Sequence, residues 1–81
     1  MKLLLVAIRD AKVGYMIPQA EQSEQTAIRN FGMLVNTGEG LMGYSPNDFD
    51  LYKVGEYDTD KGTIEACTPD LIVSAGLLKK E

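Results

Sequence analysis

Histidine and tryptophan are absent from this chain, cysteine occurs once, and basic residues are outnumbered by acidic ones. Without histidine, the usual base that activates a serine or cysteine nucleophile is missing. The lone Cys67 permits no intrachain disulfide, and is expected to be a reduced, partly buried thiol. No pair of carboxylates falls on a convincing common face, so the active-site checklist leaves nothing to assemble. The expectation is a protein that is not an enzyme and that holds no metal or cofactor. Eight Lys and Arg against twelve Asp and Glu give a net charge of −4. That balance argues against tight electrostatic binding of nucleic acid and is compatible with binding through a local basic patch. Long apolar runs are also missing. The run Leu3-Leu4-Leu5-Val6-Ala7-Ile8 after Lys2 begins like a secretion signal, but Arg9-Asp10 interrupts it and no small-residue cleavage site follows. Nothing approaches the roughly 20 apolar residues that span a bilayer. A cytoplasmic protein with no membrane partner is expected. Linkers, repeats and low-complexity segments are lacking too, so residues 1–81 read as a single domain.

What is present suits a small soluble fold. The apolar fraction is 44% and the charged fraction 25%. A chain this short buries only about 60% of its unfolded surface, so its core is thin. Residues 2 to 9 form a continuous apolar run that favours extended structure, expected to be a central strand with both faces covered. Val13 to Ile17 reads as a short second strand that Pro18 stops. Ser23 to Asn36 is the one main helix. The Ser23 hydroxyl can cap it, Glu24 suits the positive end of its dipole, and Ala27, Ile28, Phe31, Leu34 and Val35 share a face. Gln25, Thr26, Arg29, Asn30, Met33 and Asn36 fall on the other face, and Gly38 is placed to end the helix.

Gly38-Glu39-Gly40-Leu41-Met42-Gly43 spells the dinucleotide fingerprint G-x-G-x-x-G. The chemistry needs that loop between a strand and a helix, so that backbone amides and the dipole meet a pyrophosphate. Here it follows a helix and runs into Tyr44-Ser45-Pro46, so it reads as a plain loop. Ser45-Pro46-Asn47-Asp48 then reads as a single helical turn.

A β-hairpin follows. Its first arm places Tyr52 and Val54 on one face and Leu51 and Lys53 on the other, with a bulge at Gly55. Asp58-Thr59-Asp60-Lys61-Gly62 is the turn, Gly62 taking its left-handed position. A calcium loop counted from Asp58 would need glycine where Thr63 stands and glutamate where Pro69 stands, and so fails. The second arm is expected over Thr63 to Cys67, with Ile64 and Ala66 sharing a face. Thr68-Pro69-Asp70 reads as the start of a short helix from Leu71 to Ala75, closed by Gly76, with a short strand at Ile72-Val73 as the alternative. Lys79-Lys80-Glu81 is expected to be a mobile tail.

The expected fold is therefore α+β: a small, mainly antiparallel sheet of three to four strands with the helix packed on one face. Leu4, Val6, Ile8, Ile28, Phe31, Val35, Leu51, Val54 and Ile64 should be mostly buried.

Three phrases resemble one family: Ala7-Ile8-Arg9-Asp10, Ala27-Ile28-Arg29-Asn30-Phe31, and Asp50-Leu51-Tyr52-Lys53-Val54-Gly55-Glu56-Tyr57-Asp58. Together with Val35, Asn36, Pro46 and Gly62, in order over nearly the whole chain, they resemble the small non-structural protein of gokushovirus-type microviruses. These are bacteriophages with single-stranded DNA genomes. The chain departs from the family between Gly14 and Gln22, which lacks the expected phenylalanines, and in the glycine-rich loop 38–43. The resemblance implies an accessory protein of the host cytoplasm, absent from the mature virion and active in viral DNA synthesis or packaging.

It also implies single-stranded DNA as a partner. Such binding needs basic side chains along the phosphates and aromatic rings under the bases. The candidates are Arg9, Lys12, Arg29, Lys53 and Tyr52, with Tyr15 and Tyr44 as further rings. A second reading is an interaction module that self-associates, most simply as a dimer through an unprotected strand edge, and docks a viral replication or capsid protein.

Overall fold

The computed structural model describes residues 1–37 and 45–80. The glycine loop 38–43, Gly38 as helix terminator, Tyr44 and Glu81 lie outside the described residues. Among the described residues, five strands and one main helix make an α+β fold. β1 (Lys2–Asp10) is the central strand. β4 (Phe49–Asp58) pairs along one edge of it, while β2 (Gly14–Tyr15) and β3 (Gln19–Glu21) share the other. β5 (Thr63–Ser74) pairs with β4 and forms the outer edge. Every pairing is antiparallel.

The helix α1 (Glu24–Asn36) starts where expected, with the Ser23 hydroxyl accepting the Thr26 N–H at 3.1 Å. It lays Ala27, Phe31 and Val35 against one face of the sheet, each almost fully buried. Val6, Phe49 and Leu51 meet them from the sheet, and Leu4, Ile8, Ile72 and Val73 pack around this cluster. Ile28 is half-buried, and Leu34 turns outward, 49% exposed. A groove of about 420 Å³ lies between α1 and the strap Met16–Glu21, with Ile8, Phe31 and Leu34 among its walls. Among the described residues, no helix is long and apolar enough to cross a membrane.

Several expectations are corrected. The second hairpin arm does not end at Cys67, and Leu71 to Ala75 is not a helix. β5 continues through Thr68-Pro69-Asp70 to Ser74, and only Ala75–Leu78 turns helical, as α2. Proline is tolerated there because β5 is an edge strand, whose outward N–H groups need no ladder partner. The edge is also less inviting than expected. Register shifts fall on β5 between Ala66 and Asp70 and between Leu71 and Val73, and with Pro69 they break up the flat template.

Ile64, expected in the core, is 67% exposed, because it lies on the sheet face opposite α1. Val54 is only half-buried. It is the extra residue of a β4 bulge, since Val6 pairs with Lys53 and Leu5 with Gly55. Cys67 is exposed, its thiol pointing at the Lys53 carbonyl at 3.7 Å. The tail is pinned where it was expected to be mobile. Lys80 N–H donates to Asn36 Oδ1 at 2.6 Å and Lys79 Nζ to the Val35 carbonyl at 3.4 Å.

Candidate nucleic-acid interface

Side chains alternate across a strand, so residues 4, 6 and 8 of β1 face α1 while 3, 5, 7 and 9 face away. The pairing carries that alternation across the sheet. On the face without the helix, Arg9 sits opposite Asp50 and Tyr15, and Ala7 sits opposite Tyr52. β2 is held in place by the Met16 N–H donating to the Ile8 carbonyl at 2.7 Å. The Tyr15 and Tyr52 rings meet edge to face, with centroids 5.5 Å apart and planes at 72°. Arg9 Cζ lies 5.8 Å from the Tyr15 ring centroid, a cation over an aromatic face. Ala7, under its larger neighbours, is 3% exposed, while Tyr15 is 49% exposed.

The structure thus joins Arg9 and Tyr52 through Tyr15. Lys12 stands nearby and exposed at the β1–β2 turn, where its N–H donates to the Asp10 carboxylate at 2.9 Å. Arg29 and Lys53 are not part of this group. Arg29 is exposed on α1, on the other side of the sheet. Lys53 pairs opposite the core residue Val6 and bridges to Glu56 at 3.9 Å. Asp50 was missed by the sequence reading. As the cross-strand neighbour of Arg9, it puts an acidic residue opposite the cation of this cluster. Strict alternation along β4 would have revealed it, because Asp50 and Tyr52 are two apart.

A family model described as phage ORF5 protein matches residues 3–77, nearly the whole chain. The chain belongs to that family. It is a bacteriophage protein, and the segments that build the Arg9–Tyr15–Tyr52 cluster all lie within the matched span. Neither a curated protein nor a solved structure matches it.

The cluster of this phage protein has the two parts a single strand of nucleic acid asks for. An edge-to-face tyrosine pair offers π-faces for bases, a guanidinium lies against it, and Lys12 is exposed in the adjoining β1–β2 turn. Among the described residues no helix covers this sheet face, on which the Tyr15 ring is exposed and the Tyr52 ring half-buried, so an extended chain can be laid across the strands.

Proposed function

We propose that this phage protein is a non-structural accessory protein of gokushovirus-type microviruses. In that role it acts in the host cytoplasm during viral DNA synthesis or packaging, without enzymatic chemistry, by binding single-stranded DNA weakly on the helix-free face of its sheet. The observation that carries the reading is the convergence of Arg9, Tyr15 and Tyr52 from three strands. Arg9 and Lys12 meet phosphates, and Tyr15 and Tyr52 stack bases. Membership of the phage family and the ordered residue matches support the viral setting.

Fluorescence anisotropy with a labelled oligothymidylate at low salt tests it. Tyr15→Ala should weaken binding about 5- to 150-fold, the range for loss of one stacked base. Arg9→Glu should weaken it for all sequences alike, since phosphate contacts carry no base information. Arg29→Glu, on the opposite side, should leave it unchanged. If the wild-type chain fails to bind even at low salt, the DNA reading falls. The docking of a viral replication or capsid protein then takes its place, for which the apolar groove between α1 and the Met16–Glu21 strap is the surface to test.

A further inference from the structure

The core cluster reaches along β1 only as far as Leu4. Beyond it, Lys2–Leu5, Gly55–Asp58 and Thr63–Ala66 form an arm of three strands, with β3 alongside Leu4 and Leu5 at its base, in a molecule 42 Å long against 23 and 17 Å across. The hairpin turn fastens the start of β1. Thr59 donates to the Met1 carbonyl through both its N–H and its hydroxyl, each at 2.9 Å. On the helix-free face of this arm, register sets Leu3, Tyr57 and Ile64 in one row and Leu5, Gly55 and Ala66 in the next. Neither row carries a charge.

We propose that a second copy of this chain packs face to face on these two rows, forming a two-fold dimer. Stable domains bury each apolar sheet face against a second layer, and among the described residues of these rows Ile64 and Ala66 are exposed and Leu3, Leu5 and Tyr57 half-buried. The accessible surface is 5561 Å² for 8.9 kDa. A globular monomer of that mass exposes about 4,800 Å², so the excess is about 750 Å². One side of a standard-size protein interface buries about 800 Å². The uncharged rows let two chains of net charge −4 approach without like charges meeting at the centre. A two-fold axis needs a self-complementary patch, and an uncharged apolar one can meet its own copy. Edge-to-edge pairing along β5 is the weaker arrangement, given its register shifts and Pro69. The Arg9–Tyr15–Tyr52 clusters lie roughly 15 Å further along the strands. An antiparallel stack leaves one free at each end of the dimer.

Sedimentation equilibrium of the full chain over a concentration series tests the proposal. The expected result is a dimer for the wild type and a monomer with an unchanged circular dichroism spectrum for Ile64→Glu. Ala66→Arg, at a second exposed position, should do the same if Ile64→Glu fails to fold. Leu34→Glu, in the groove on the other side, should stay dimeric, and so should Arg9→Glu, which separates this interface from DNA binding. A monomeric wild type at high concentration overturns the proposal. So does a dimer that survives both arm substitutions, or one that Leu34→Glu dissociates.

Discussion

Asn36 ties three parts of the chain together with one amide. Its Nδ2 donates to the Gly32 and Leu78 carbonyls, both at 2.8 Å, and its Oδ1 accepts the Lys80 N–H. The helical spacing assigns Asn36 to the polar face correctly, but not its partner, because contacts made 42 residues away leave no local periodic trace. Asp58 is the opposite case, its role being readable from the turn alone. Its carboxylate accepts the Asp60 N–H at 2.9 Å and the Lys61 N–H at 3.2 Å, and these bonds hold its pKa below the usual carboxylate range. Folding thus lowers the pKa, and the unfolded chain takes up the proton first. The stabilisation is complete above the unfolded value and disappears as pH falls through the folded one, below about pH 4. Asp58→Ala should therefore melt lower than wild type at neutral pH, and the gap should close on acidification. A gap that persists at low pH would show that the charged carboxylate is not the origin.

At the scale of elements, α1 and the bulged β4 were legible and the length of β5 was not. The helix carries its own signals, with Ser23 accepting a backbone N–H and apolar residues four apart along the buried face. Glycine in an aromatic and β-branched run signalled the irregularity in β4, and the structure gives the reason. A Cβ on Gly55 would come 2.5 Å from the Glu65 carbonyl oxygen on β5. Gly55→Ala should push the two strands apart and cost about 1–3 kcal/mol, as overpacking does elsewhere. Urea denaturation checks this, and a stability equal to wild type would mean that the hairpin spreads freely. In β5, Thr68-Pro69-Asp70 carries the local pattern of a helix start. Pairing of Asp70, Leu71 and Val73 with β4 overrides it, and that pairing belongs to the tertiary fold. Ile64 was misplaced for a related reason. Alternation gives two faces to every strand, but not which face the helix will cover.

For the whole molecule the question is how a chain of net charge −4 would bind a polyanion as proposed. The fold separates the four candidate cations among its eight basic residues. Arg9 faces the helix-free side and Lys12 is exposed in the turn that follows its strand, while Arg29 and Lys53 sit with α1 on the other side. A strand laid on the helix-free face therefore meets two of the four. At about −0.7 per phosphate contact on a single strand, the slope of log affinity against log salt should be near −1.4. Between about 50 and 200 mM salt, that amounts to only about a seven-fold loss. A strand wrapped around the molecule to reach all four cations would instead give a slope near −2.8. Lys12→Ala should move the slope toward about −0.7, and Lys53→Ala should leave it unchanged. The proposed dimer answers salt the other way. Its contact rows carry no charge, and screening relieves repulsion between two acidic chains, so added salt should hold or tighten it. Anisotropy and sedimentation on the same salt series thus separate the two activities. Dissociation of both together on adding salt would place charge–charge contacts in the dimer interface, against its assignment to Leu3, Tyr57 and Ile64.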